Sequence, residues 1–166
     1  TFIKLNSIIM QRIYLLVVGI LFGLGIQNVS AQRVVDIAAS TDPVNPTDIF
    51  PVIKADTIAG GAMTDSNTVY RLENGESYVT TGRIVNEIGW DLHIEAVDLE
   101  DTENKPIIGR IPNASGTFPD IMRPNGNVTL KNLWIVSGEK GPLEQHDWGK
   151  IRISGANTRV IVSDCI

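Results

Sequence analysis

Three six-residue runs in the second half of the chain share one pattern, and this repeat constrains the fold more than any other feature. The runs cover residues 92–97, 128–133 and 160–165, so their starts are 36 and 32 residues apart. In each run the first and third residues are aliphatic, the fourth is polar, the fifth is Ala, Asn or Asp, and the sixth is apolar. Alternation with a period of two indicates a strand with one buried face. The fifth position interrupts the alternation and indicates a bend, after which the next apolar side chain also turns inward.

Further short β-candidates fill the two intervals between these runs. Residues 106–109 and 120–122 fall in the first interval, and residues 134–136 and 150–153 fall in the second. Each repeat therefore contains about three short strands, which is the content of one β-solenoid coil with a strand on each of three faces. A single coil cannot bury its own core, whereas stacked coils can. We therefore predict an all-β fold of the parallel β-helix (solenoid) type.

An antiparallel β-sandwich is the alternative fold, because it also consists of many short strands separated by turns. Residues 68–72 and 77–80 show the same ambiguity. Asn74 and Gly75 favour a tight turn, so these two runs could pair as a hairpin. They could equally be successive strands of one coil. The repeat spacing and the bend position favour the solenoid.

Residues 32–61 form a separate segment that we expect to cap the first coil, with the coils occupying residues 62–166. A solenoid has two exposed ends, and β-proteins cover or blunt such edges. Asn45 followed by Pro46 predicts the N-cap and the first residue of a short helix. Four apolar residues supply its buried face: Ile49, Phe50, Val52 and Ile53.

Residues 1–31 have the organisation of a secretory signal peptide with a few upstream residues. Arg12 supplies the positive region, residues 13–26 are apolar, and residues 29–31 read Val-Ser-Ala, a small-residue cleavage site. The apolar stretch is shorter than the roughly 20 residues of a membrane-spanning helix. We therefore expect translation to start at Met10 and the mature chain to be exported without a transmembrane anchor.

The charge balance argues against nucleic acid and anionic membranes as partners. The chain has 14 Lys and Arg residues against 19 Asp and Glu residues, a net charge of −5. Removal of residues 1–31 takes away Lys4 and Arg12 but no acidic residue, so the mature chain is more acidic still. Binding to phosphates needs clusters of Lys and Arg, and no run of such residues is present in the sequence.

Four stretches resemble the N-terminal part of secreted right-handed parallel β-helix proteins of Bacteroidetes-type bacteria, which are related in fold to pectate lyases. The stretches are NTVYRLENGESYVTTGRI (67–84), DLHIEA (91–96), PNGNVTLKNLWIVSG (124–138) and GKIRISGANTRVIVSDCI (149–166). The resemblance implies a right-handed coil, secretion or display on the outer surface of a Gram-negative cell, and further coils beyond Ile166. It also implies that Asn132 occupies a bend position where asparagines of adjacent coils can stack as a polar ladder, with Asp164 at the same place.

The resemblance implies a carbohydrate-related role but leaves the activity open, because one fold hosts many functions. A polysaccharide lyase that uses calcium, a glycoside hydrolase, a non-catalytic adhesin and a structural scaffold all remain open. In the lyases, the calcium-binding Asp residues and the basic catalytic residue look to lie on later coils. No catalytic, cofactor-binding or metal-binding residue is therefore assigned in this chain.

Three local features are candidates for chemistry. Residues 98–103 form an acidic run that could offer oxygen ligands to calcium but lacks the glycine and spacing of a defined calcium loop, so we interpret it as a solvated loop. His93 lies in mid-strand and is expected to face away from the core. His146, Asp147 and Trp148 are the ligand-surface candidates, because a His beside an Asp can be an oriented base and an exposed Trp can stack on a sugar ring. The alternative for this cluster is an inserted loop whose Trp148 packs on apolar surface.

Overall fold

The computed structural model describes residues 32–57, 65–111, 120–136 and 151–166, and the strands in these ranges stack as a β-solenoid of about three turns. The chain alternates between two parallel sheets, so that each coil contributes one strand to each. Sheet A consists of β1 (Arg33–Ile37), β3 (Thr68–Leu72), β5 (Leu92–Ala96), β7 (Val128–Lys131) and β9 (Val160–Ser163). Sheet B consists of β2 (Thr47–Asp48), β4 (Ser77–Thr80), β6 (Ile107–Arg110) and β8 (Trp134–Ile135).

Within the described ranges, the third face of the solenoid consists of single bridges between coils. Ile84 pairs in parallel with Met122, and Met122 pairs in parallel with Ile151. The backbone N–H of Ile84 donates to the carbonyl of Ile121, and the N–H of Arg123 donates to the carbonyl of Ile84. The sequence predicts three strands in each coil, and the third of them is this short ladder.

The predicted parallel β-solenoid is confirmed, and the antiparallel sandwich is wrong, because every strand pair in the two sheets is parallel. β3 and β4 belong to different sheets, so the turn at Asn74 and Gly75 joins successive strands of one coil. Gly75 has a positive φ of 77°, which glycine adopts without steric cost. The right-handed sense of the coil stays a prediction.

The repeat corresponds to the register of sheet A. The first position is the column Leu92, Val128 and Val160, and the third is the column Ile94, Leu130 and Val162. Members of these columns on β5 and β7 are at most 1 % exposed, whereas Val162 on the outermost described strand is 53 % exposed. The strand alternation was therefore predicted correctly.

The bend at the fifth position is real on two of the three coils. Asn132 and Asp164 have left-handed backbones with φ of 52° and 55°. Leu133 follows the first of these bends and is fully buried, whereas Val97 follows Ala96 and is 46 % exposed. Asn and Asp enter the left-handed region far more readily than Ala does, and Ala96 does not enter it. The inward turn expected at Val97 is therefore absent.

The segment expected to cap the solenoid also contributes strands to both sheets. β1 pairs with β3, and β2 pairs with β4. Helix α1 (Ile49–Ala55) then follows β2, and it is N-capped by Asp48 rather than by Asn45 as the sequence predicts. The helix starts late because Thr47 and Asp48 are held extended by pairing with β4, and Asp48 Oδ1 accepts from the N–H of Phe50 at 3.0 Å.

Two buried tyrosines attach the first coil to the second. The hydroxyl of Tyr78 donates to the carbonyl of Ile37 at 3.0 Å and accepts from the N–H of Glu73 at 2.9 Å. The hydroxyl of Tyr70 donates to Asp56 Oδ2 at 2.8 Å, and burial raises the pKa of this tyrosine far above its ordinary value. Both rings are almost fully buried, so each contributes apolar area while its hydroxyl is satisfied.

The predicted signal peptide, residues 1–31, lies outside the described residues, so secretion stays a prediction. Among the residues that are described, no helix is long and apolar enough to cross a membrane.

Candidate functional site

The ligand-surface candidates of the sequence, His146, Asp147 and Trp148, lie outside the described residues. The structure therefore neither brings them together nor separates them, and their role stays a prediction.

The acidic run at residues 98–103 is a loop whose carboxylates accept hydrogen bonds from nearby backbone N–H groups. Asp98 Oδ1 accepts from the N–H of Glu100 at 2.9 Å, and Asp101 Oδ1 accepts from the N–H of Asn104 at 3.1 Å. The side-chain amide of Asn104 also donates to both oxygens of Asp101 at 3.2 and 3.1 Å, and these bonds, together with the one from the Asn104 N–H, lower the pKa of Asp101 below its ordinary value. Across the described ranges, no group of three or more His, Cys, Asp and Glu side chains is placed to hold a metal ion.

The outer face of sheet A carries a column of alternating charge that neutralises itself. The column runs through Asp36, Arg71, Glu95 and Lys131 on four neighbouring strands. Arg71 donates to both carboxylate oxygens of Asp36 at 2.8 and 3.1 Å, and Lys131 Nζ lies 3.5 Å from Glu95 Oε2. Opposite charges on neighbouring strands stabilise a sheet. This face therefore offers little net charge to a ligand.

His93 lies beside this column and faces outward, as predicted. Its Nε2 is 2.8 Å from Glu95 Oε2, although the contact is not aligned as a hydrogen bond. Burial lowers the pKa of His93; Glu95 opposes this shift and Lys131 adds to it.

Sequence reasoning missed the arginine cluster, which we define as Arg83, Arg110 and Arg123 around the carboxylate of Asp120. Asp120 is only 2 % exposed. Its Oδ2 lies 3.1 Å from Arg123 Nη2 and 3.7 Å from Arg83 Nε, and Arg110 interacts electrostatically with both Asp120 and Arg83. Counted over the described residues of the cluster, three guanidinium groups and one carboxylate leave an excess of two positive charges. This local positive charge contrasts with the net charge of −5 of the whole chain.

The arginine cluster is partly accessible from solvent. The side chains of Arg83 and Arg123 are 35 % and 31 % exposed. Burial lowers the pKa of Arg110; the carboxylate of Asp120 opposes this shift and Arg83 adds to it. Arginine stays protonated in proteins regardless, so the cluster keeps its charge.

A pocket of about 240 Å³ adjoins the cluster and shares Arg83 with it. It lies between α1 and the third face of the next coil. Its apolar lining includes Phe50, Ile84 and Trp90, and Lys54 and Glu87 add charged groups. Trp90 itself is 2 % exposed, so it is mainly a packing residue.

The outer face of sheet B carries an exposed indole. Trp134 on β8 is 46 % exposed while the next residue, Ile135, is 4 % exposed, so the indole points outward. Its register partner on β6 is Ile107, and Val136 beside it is 37 % exposed. Arg110 ends the strand that Ile107 begins, but it is three residues further along, so its side chain shares the opposite face of β6 with the buried Ile108. The outer face of sheet B therefore carries a small apolar patch with one aromatic ring, and the side chain of Arg110 lies on the other face of the sheet.

The arginine cluster has no sequence signal because its members come from three different short elements. Arg83 and Arg123 approach each other through the bridge between Ile84 and Met122, a pairing that no local pattern predicts. The alternating runs of sheet A predict the number of residues in each coil. They do not predict which residues form the bridges of the third face.

Comparisons of the chain with protein-family models, with curated proteins and with solved structures found no match. The family expected from the sequence resemblance is therefore not shown.

Proposed function

We propose that the chain is part of a secreted or cell-surface β-solenoid that binds a polysaccharide, in line with its resemblance to pectate-lyase-like β-helix proteins of Gram-negative bacteria. The observation that carries the proposal is the outward-facing indole of Trp134 on sheet B. A tryptophan offers an apolar ring together with one N–H donor. A sugar ring is complementary to it, having apolar C–H faces and a rim of hydroxyl groups.

The neighbours of Trp134 distinguish it from an isolated exposed side chain, which would need no explanation. Ile107 and Val136 extend the apolar surface beside the indole, which itself offers one N–H donor. Binding sites for small polar ligands combine such apolar surface with a few placed polar groups. A parallel sheet also repeats at about 4.8 Å from coil to coil, which suits an extended chain better than a compact ligand.

The test is a binding assay of the purified chain against a panel of insoluble and soluble polysaccharides. Trp134→Ala is expected to weaken binding about tenfold or more, because loss of a buried aromatic contact costs more than 1 kcal/mol at a binding hot spot. Trp134→Phe should retain part of the affinity. Ile88→Ala is the matched control, since Ile88 is an exposed apolar residue (81 %) away from sheet B.

Absence of binding to every polysaccharide, or equal binding by wild type and Trp134→Ala, would refute the proposal. Incubation of bound uronate polymers with and without calcium, followed by analysis of chain length, separates a binding protein from a lyase. Shortened chains would extend the proposal to an enzyme, whereas intact chains would favour the adhesin.

A further inference from the structure

The arginine cluster has a charge pattern that its own residues do not balance. Asp120 is the only carboxylate paired with it among the described residues, and it faces three guanidinium groups. Charged groups removed from water are costly unless they are paired and hydrogen-bonded. A second anion at this place would reduce this excess of positive charge.

Several donors of the cluster also lack partners within the described ranges. Nε of Arg83, Nε of Arg123 and Nη2 of Arg110 are buried and have no hydrogen-bond partner there. Asp120 Oδ2 is close to two arginines, but neither contact is aligned as a hydrogen bond. Buried polar groups are paired in the great majority of cases, so a group of orphans at one spot calls for an explanation.

We propose that the arginine cluster is a binding site for an oxyanion group, the carboxylate or sulfate ester of an acidic glycan. The glycan part of this inference rests on the proposed function; the oxyanion part does not. Guanidinium groups match planar or tetrahedral oxyanions through paired N–H donors, whereas a lysine would act only as a point charge. The buried carboxylate of Asp120 lies close to Arg83 and Arg123, and this ion pairing restricts the two side chains before the anion binds, which reduces the entropy lost on binding.

The pocket beside Arg83 gives the sugar bearing the oxyanion a place to lie. Its volume of about 240 Å³ is below the roughly 300–1,000 Å³ of sites that enclose a whole small molecule. It therefore suits one ring of a longer chain. Lys54 is a further cation at its lining, and Glu87 disfavours a second anion there.

The first arm of the experiment uses inorganic sulfate as the probe. Sulfate stabilises proteins generally by exclusion from their surface, so wild type is compared with variants at matched ionic strength. We expect a saturable rise in the melting temperature of wild type with sulfate. Arg123→Gln should reduce sulfate affinity about tenfold or more, since a charge-assisted hydrogen bond contributes about 1.5–3 kcal/mol. Arg71→Gln is the matched control, because Arg71 is paired with Asp36 on the outer face of sheet A.

Arg123→Lys guards against misfolding of the first variant. It keeps a positive charge beside Asp120 but lacks the forked donors, so it should fold as wild type does and still bind sulfate more weakly. Identical sulfate responses in wild type, Arg123→Gln and Arg123→Lys would overturn the oxyanion site.

The second arm measures binding of three glycan classes: uronate polymers, sulfated polymers and neutral polymers. Preference for one acidic class, lost in Arg123→Lys, supports the inference and identifies the source of the oxyanion. Equal binding of neutral and acidic polymers by wild type and Arg123→Lys overturns it while leaving the proposed function intact. Sulfate binding without binding of any glycan supports the oxyanion site and refutes the proposed function.

Discussion

The side-chain amide of Asn132 donates to the backbone carbonyl of Asp98 at 2.9 Å, which joins two successive coils through a residue at a bend. The same amide donates to the carbonyl of Asp101 at 2.8 Å, and Asn132 Oδ1 accepts from Lys105 Nζ at 2.6 Å. From the opposite side, Asn74 of the preceding coil donates to the carbonyl of Asp98 at 2.9 Å. The resemblance implies a ladder of stacked asparagines on adjacent coils. The side chain of Asn132 instead donates to backbone carbonyls of the loop that follows β5.

Replacement of Asn132 by alanine should strongly destabilise the solenoid. The side chain is 1 % exposed, and its loss leaves two carbonyls and a lysine with fewer partners. Alanine is also disfavoured at φ 52°. We expect a loss of about 3 kcal/mol in the free energy of unfolding, measured by urea denaturation.

Asn157→Ala separates the backbone contribution from the lost hydrogen bonds. Asn157 has a similar left-handed backbone, with φ of 61°, but it is exposed. Its replacement should cost only about 1 kcal/mol. Equal losses in the two variants would show that the amide of Asn132 contributes nothing beyond its backbone conformation.

The sheet A strands were predictable because each one alternates with a period of two and the runs recur at similar spacing. Val128 and Leu130 are buried as the pattern requires. The helix start was wrong because Asp48 is held extended by pairing with Val79, a contact between distant residues that overrides the local preference at Asn45. Local propensity cannot anticipate such pairing.

Gly126 lies so close to another segment that no side chain fits. A Cβ at this position would collide with the carbonyl oxygens of Glu87 and Trp90. Its N–H donates to the carbonyl of Asn86 at 3.2 Å, so the segment cannot easily move away. Gly126→Ala should therefore lower the free energy of unfolding by about 3 kcal/mol or more.

Gly109→Ala is the matched control for Gly126→Ala. A Cβ at Gly109 would meet only the carbonyl oxygen of Tyr78 at 3.7 Å, an ordinary contact. Alanine restricts the unfolded chain more than glycine, so this variant should be neutral or slightly more stable. Thermal unfolding of both variants makes the comparison, and a Gly126→Ala protein as stable as Gly109→Ala would contradict the packing described here.

The candidate site was less predictable than the fold. Arg83, Arg110, Asp120 and Arg123 are spread over 41 residues and follow no spacing that indicates a site. The net charge of the chain also argued against a basic cluster, because the chain as a whole is acidic. The cluster exists only once the coil stacks β6 and the bridge at Met122 against the coil before it.

The bidentate pair of Arg71 and Asp36 should contribute little to stability despite its good geometry. The two side chains are 33 % and 63 % exposed, so water and salt screen their attraction. A double-mutant cycle with Arg71→Gln and Asp36→Asn should give a coupling free energy below about 1 kcal/mol, falling further in 1 M salt. A larger, salt-insensitive value would mean that the pair is shielded from solvent.

The stability of the solenoid should fall as pH is lowered through the range in which His93 titrates in the unfolded chain. Burial lowers the pKa of His93 in the folded protein, so below about 6.5 the unfolded chain takes up a proton that the folded protein resists. Above that pH both states are neutral and the effect vanishes. Urea unfolding of wild type and His93→Gln between pH 5 and 8 should give curves that diverge only toward acid, with wild type losing more. His146→Gln, which changes the other histidine, is the control, and curves that stay parallel would remove His93 as the cause.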